Sequence, residues 1–264
     1  MKPTAFLLLF LAFMTSAAWA QEETAKTDSG YQFTTIKKLP VTSVKNQYRS
    51  GTCWSYSAIA FLESELLRMG KDTFDLSEMY IVRKGYEDKA KLDVRFHGEH
   101  NFAGGGAAHD VIYVMKNYGL IPESAYTGLT LGDDKPVHGE MDGVLSGYME
   151  SVIKNPNKKL SPVWFKGYCG VLDAYLGVVP EKFTYKGKEY TPRSFADATG
   201  LNPDDYVELS SFTHHPFWEK FILEVPDNWL MDQVYNVPLD VLIQIIDNSV
   251  KEGYTVVWGS DVSE

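Results

Sequence analysis

A short polar turn, Ser50-Gly51-Thr52, leads directly into an apolar stripe of helical period, and this junction constrains the fold more than any other feature. Trp54, Ala58, Phe61, Leu62, Glu65 and Leu66 follow at helical spacing, and Gly70 ends the run. A second helix is predicted to begin at Ser77, with Leu76 as its hydrophobic staple, and to carry Met79, Tyr80, Ile81 and Val82. Gly104-Gly105-Gly106 opens a third helix, with Val111, Val114 and Met115 on its buried face and Gly119 at its end.

The second half is more mixed. Two helical stretches between about 143 and 177 are separated by Asn155-Pro156. Thr184 to Tyr190 reads as a hairpin around Lys186-Gly187, and Thr191-Pro192 caps a short helix that stops at Gly200. His214 to Val225 alternates as a strand does. Val237 to Lys251 is an amphipathic helix ended by Gly253, and Tyr254 to Trp258 has the pattern of a buried strand. Helices come first, then strands with one more helix. The predicted fold class is therefore α+β, with a helical lobe followed by a sheet-rich lobe of few strands.

The first twenty residues stand apart from this fold. Lys2, the apolar run Ala5 to Met14 and the small residues of Ala18-Trp19-Ala20 form the pattern of a secretory leader, cleaved after Ala20. The run is shorter than the ~20 residues a spanning helix needs, so no membrane association is expected after cleavage. Residues 21–30 are polar and read as a disordered lead-in. Export to the periplasm or the extracellular space follows. The net charge is −10, and loss of the leader, whose charge is Lys2 alone, makes it −11. Such acidity repels phosphate backbones, and no basic run offsets it, so nucleic acid is excluded as a partner.

The chemistry centres on Cys53. A thiol acts as a nucleophile only as the thiolate, and a helix N-terminus favours negative charge through its unpaired N–H groups and its dipole. Attack on a carbonyl creates an oxyanion that needs donors already in place. The Gln47 side chain and the Cys53 backbone N–H could supply them, with Gly51 letting the loop turn tightly. Cys169, in an aromatic-rich helix, reads as a small buried hydrophobe, although a Cys53–Cys169 disulfide stays open at this point.

The string Gln47-Tyr48-Arg49-Ser50-Gly51-Thr52-Cys53-Trp54-Ser55 closely resembles the signature of the papain-like cysteine peptidases. Leu76-Ser77-Glu78 and Tyr118-Gly119-Leu120-Ile121-Pro122 are similar to that family's second helix start and third helix end. A long insert at about 142–236, with Leu172-Asp173-Ala174-Tyr175-Leu176-Gly177 and Val225-Pro226-Asp227-Asn228-Trp229, resembles the bleomycin hydrolase/aminopeptidase C branch. Val237-Pro238-Leu239 and Val257-Trp258-Gly259-Ser260-Asp261-Val262 do so too. The resemblance implies one two-lobed peptidase domain over 31–264, its second lobe an incomplete β-barrel. It implies Cys53 and Gln47 as catalytic residues, with Gly104, Gly105, Gly106 and Trp54 binding peptide substrate. It also implies a ring of six subunits, a preference for trimming amino termini, and no metal or organic cofactor.

In that family the catalytic histidine and its orienting asparagine follow the strand that Tyr254 to Trp258 resembles. The sequence given ends at Glu264, so two expectations stand. The chain is part of a longer peptidase, or it is a shortened, inactive homologue that binds peptides or serves as a scaffold, with an exposed apolar face. None of the histidines present has the family's catalytic context. His97 and His100 fall in a loop, where solvation is the expectation, and His109, on the third helix, reads as a surface or cleft-edge residue. His138 falls in a polar loop, and His214 and His215 are expected on opposite faces of a strand, a poor metal pair. Asp133-Asp134 and Asp204-Asp205 read as turns, and Trp164, Phe165 and Tyr168 as helix core.

Overall fold

The computed structural model describes residues 31–260 apart from 32, 131 and 133. The leader, the polar lead-in, Asp133, Asp261 and Val262 lie outside the described residues. Residues 31 and 33–36 have no regular secondary structure, and a compact unit begins at Lys37.

Its first part is helical. Helix α1 (Cys53–Arg68) packs against α2 (Glu78–Arg95) and α3 (Ala108–Tyr118). The period seen in the sequence is the buried stripe: Ile59, Leu62 and Leu66 of α1 meet Tyr80 and Ile81 of α2 and Val111, Val114 and Met115 of α3 in one core. Each fully buried leucine of this kind contributes about 2 kcal/mol of transfer free energy. Ser77 caps α2, its Oγ accepting from the Tyr80 N–H at 3.1 Å, as its position before the apolar run requires. Helices α4 (Gly139–Ile153) and α5 (Trp164–Leu176) pack on each other and on α2, and Tyr168 is fully buried between them.

A buried charge network ties the entry segment to these helices. Glu63 of α1 accepts from Thr42 Oγ1 at 2.6 Å and from the Leu76 N–H at 2.8 Å. Lys45 Nζ reaches Glu63 at 3.3 Å, and Glu78 and Asp75 each at 2.7 Å. Glu123 lies in the same neighbourhood, and burial, with Glu78 close by, pushes its carboxyl up to about 7. The folded group keeps its proton to higher pH than an unfolded glutamate does. Its stabilising contribution is therefore complete below about pH 4 and is lost as pH rises through 7. Glu123→Gln is expected to raise the unfolding free energy at pH 8 by about 2 kcal/mol, with little change at pH 4, in paired urea titrations.

The second part holds short strands. The hairpin β1 (Phe183–Tyr185) and β2 (Lys188–Tyr190) forms around Lys186-Gly187 as expected, and α6 (Pro192–Thr199) follows with Thr191 as its cap. A three-stranded sheet runs in the order β3 (Leu209–Ser210), β5 (Gln233–Asn236), β4 (Lys220–Ile222), with β3 parallel and β4 antiparallel to β5. These sheets are small and open, as the incomplete second lobe implied.

Two expectations fail here. The strand drawn over His214 to Val225 shrinks to β4, because Pro216 lacks a backbone N–H for a ladder and Trp218 sits at φ +71°. Tyr254 to Trp258 is not a strand and pairs with no neighbour among the described residues; Trp258 is 63% exposed. An apolar run becomes a strand only when another edge accepts its hydrogen bonds. Helix α7 (Leu239–Glu252) forms, with Gly253 at φ +99° as its C-cap, but none of its residues is buried and Leu239 and Ile243 face solvent.

Candidate functional site

The loop before α1 is a sequence of tight turns. The Gln47 carbonyl accepts from the Ser50 N–H at 3.3 Å and from Ser50 Oγ at 2.8 Å, and Ser50 Oγ lies 2.5 Å from Thr52 Oγ1. Tyr48 and Gly51 both take positive φ, which glycine adopts without strain. Thr52 is the N-cap residue, yet with its hydroxyl turned to Ser50 it caps nothing in the first turn. The leading N–H groups of α1 are thus left without a side-chain acceptor at Cys53, the first residue of the helix. Cys53 is exposed and its thiol is free.

Cys169 is also free, so no disulfide joins the two. It is half-buried, and burial, with Glu87 nearby, raises its thiol pKa. The Gln47 side chain is half-buried; its Oε1 is buried and meets no partner.

Trp54 connects this thiol to the glycine run. Its ring is only 6% exposed, and its Nε1–H donates to the Gly104 carbonyl at 3.0 Å. Lys89 of α2, 2% exposed, donates to the Ala103 carbonyl at 2.7 Å and also to the Gly105 carbonyl. Three successive carbonyls are therefore held from behind, and among the described residues no hydrogen bond within the protein uses the Gly106 N–H or C=O. The glycines are required by space. A Cβ on Gly106 would lie 2.5 Å from Asp110 Oδ2 and 2.8 Å from the Trp54 ring, and one on Gly105 would lie 2.2 Å from an Asp227 oxygen.

The groups behind the wall are strongly perturbed. Burial pushes the Lys89 ammonium down to about 8, against the opposing charges of Asp110, Asp227 and Asp142. Burial pushes Asp110 up to about 6, although it accepts from the Ala107 N–H at 2.9 Å and from Trp229 Nε1 at 2.6 Å. Burial disfavours a charged His109 ring, but its 2.5 Å hydrogen bond to Glu208 and the charges of Glu208 and Asp110 outweigh that and raise its pKa.

Trp54 and Gly104 to Gly106 thus come together, with Cys53 next to Trp54 in the chain and the buried Trp54 ring against the glycines. Other histidines depart from expectation. His109 is largely buried and paired, and His138 is buried with both ring nitrogens unpartnered, its pKa lowered by burial. His100 is not simply solvated but bonds the Trp229 carbonyl at 2.9 Å. His214 and His215 lie in a turn, where their rings converge. Sequence reasoning missed Lys89, Asp110 and Asp227 altogether. A lysine and an aspartate inside otherwise amphipathic helices give no local sign of burial.

Comparison with known proteins agrees with this geometry. Residues 30–156 match the papain family cysteine proteases. The chain is 26% identical over 269 residues to aminopeptidase G of Lactobacillus delbrueckii subsp. lactis, covering 85% of this chain and 60% of that protein. It is 21% identical over 291 residues to aminopeptidase C of Streptococcus thermophilus, covering 92% and 64%. Human cathepsin L2 is 36% identical over 90 residues, covering 34% and 24%. The chain thus spans less than two thirds of the length of the curated relatives it matches. The crystal structure of PepW from Lactobacillus rhamnosis HN001 superposes with a TM-score of 0.64 at 20% identity, over 84% of this chain and 59% of that one. The turn that delivers an exposed thiol to a helix start, the glycine wall beside it and the sequence match over residues 30–156 make that part of the chain similar to the papain family cysteine proteases.

Proposed function

We propose that this protein is an exported cysteine peptidase of the aminopeptidase C type that acts on peptides. The observation that carries the reading is an exposed, free thiol at the uncapped start of α1, one residue from the indole that fixes the glycine wall. Cys53 attacks the peptide carbonyl, a C–S bond forms, and the Gln47 amide with the Cys53 N–H takes the negative charge of the oxygen. The C–N bond then breaks as the leaving amine takes the proton that the Cys53 thiol gave up, and water breaks the C–S bond, freeing the acid and restoring the thiol. Gly104 to Gly106 form the wall along which an extended substrate lies. Gly106 offers its free N–H and C=O, and Trp54 supports the wall from behind. The exposed Asp227 carboxylate beside Gly105 suits a substrate that carries a free ammonium terminus.

The leader pattern at 1–20 supports export, and assembly into a ring is carried over from the sequence resemblance to the bleomycin hydrolase/aminopeptidase C branch. Among the described residues no helix is long and apolar enough to cross a membrane.

The test compares aminoacyl-coumarylamides with their N-blocked forms. A free terminus should be preferred, and a preference for blocked substrates would overturn aminopeptidase action. Gln47→Ala is expected to lower kcat/KM by about 10²–10³-fold while leaving simple alkylation of Cys53 unchanged. An unaltered kcat/KM would remove Gln47 from the oxyanion role.

A further inference from the structure

Outside the cleft, three side chains of the insert converge on one point. Glu224 Oε2 lies 3.3 Å from His215 Nε2 and 3.5 Å from His214 Nε2. The donor atoms of all three residues lie within 4.8 Å of one another. We propose that His214, His215 and Glu224 bind a divalent transition-metal ion of the zinc class, with water in the fourth position.

Two of the three donor separations are those the ion needs. Zinc bonds to nitrogen and oxygen are about 2.0–2.2 Å, so the edges of a tetrahedral site are about 3.4 Å. Both histidine–glutamate separations match that edge before any ion is present. Two imidazoles and one carboxylate are also a donor set that suits zinc better than calcium or magnesium, which prefer oxygen alone.

The turn that carries the two histidines is held by the fold. Adjacent histidines on a strand would point apart, but here they sit in a turn clamped by Asn236, a fully buried residue of the central strand β5. Asn236 Oδ1 accepts from the Phe212 N–H at 2.8 Å, and its Nδ2 donates to the carbonyls of Phe212, His215 and Pro216 at 2.9, 3.0 and 3.2 Å. The His215 ring stacks on Phe221 with centroids 4.0 Å apart, and His214 meets Phe212 edge-on at 5.4 Å. Phe221 itself pairs with Val234 of β5 in the antiparallel ladder, and Glu224 follows shortly after that strand. The turn is thus tied to β5 through Asn236, and the exposed Glu224 lies just past β4, where it already meets both histidines. A bound ion would join the two sides of β4 and stiffen the start of the segment that carries Asp227 to Gly105.

The experiment uses the untagged chain, freed of metal, titrated with Zn²⁺ in competition with a chromophoric chelator. One ion per chain is expected, with His214→Ala and Glu224→Gln each binding at least about tenfold more weakly and His97→Ala unchanged. Far-UV circular dichroism checks that each variant folds. Co²⁺ added to the unaltered chain gives a reading that needs no variant: intense visible bands of a four-coordinate ion support the site. Weak octahedral bands alone, no stoichiometric uptake of Zn²⁺, or uptake unaffected by both substitutions would overturn it. Because none of these readings involves peptide cleavage, the result stands apart from the peptidase assignment.

Discussion

Covalent capture by an epoxide inhibitor is expected to disappear when Cys53 is replaced by serine and to persist when Cys169 is. The two thiols differ in access and in surroundings. Cys53 is exposed at a helix start whose leading N–H groups have no side-chain acceptor. Cys169 is half-buried beside Glu87, and both burial and that charge oppose ionisation. Intact-mass spectrometry would show one adduct on the unaltered protein and on Cys169→Ser, and none on Cys53→Ser over the same time. Turnover should fall by about 10⁴-fold or more for Cys53→Ser, as expected when the only nucleophile is removed. Adduct formation at Cys169, or labelling of Cys53 no faster than that of a free cysteine, would contradict the proposed site.

Neighbouring glycines of the wall are expected to respond in opposite ways to the same added methyl group. At Gly106 the new carbon would press on Asp110 Oδ2 and the Trp54 ring, and neither can yield. Asp110 is held by Ala107 and Trp229, and Trp54 by the Gly104 carbonyl. Gly106→Ala should therefore destabilise the fold by about 3 kcal/mol, read from denaturant midpoints. At Gly105 the methyl group meets only the end of Asp227, an exposed side chain free to swing away. Gly105→Ala should shift stability by less than about 1 kcal/mol, yet crowd the substrate face and raise KM. Equal destabilisation by both would mean that the wall is not braced through Trp54 and Asp110.

That contrast also divides what local pattern reveals from what packing decides. The helix beginning at Cys53, the caps at Ser77 and Thr191, the hairpin at Lys186-Gly187 and the glycine run were all legible before any coordinates. Periodicity, capping and turn chemistry act over a few residues, so a short window carries the whole signal. The thiol and the wall were legible for the same reason. Lys89, Asp110 and Asp227 were not, because the burial of the first two and the approach of the third to Gly105 depend on segments distant in sequence.

Sheet formation shows the same division in the other direction. His214 to Val225 and Tyr254 to Trp258 carry strand patterns, but a strand exists only where a second chain segment completes its hydrogen bonds. Among the described residues Tyr254 to Trp258 finds none, while β5 pairs with β3 and β4, which no local pattern announced. The convergence of His214 and His215 likewise comes from one buried asparagine some twenty residues downstream. Short-range chemistry thus wrote the helices and the exposed thiol at a helix start into the chain. Long-range contacts alone decided which polar groups would be buried, paired or brought face to face, because their energies exist only once the chain has closed on itself.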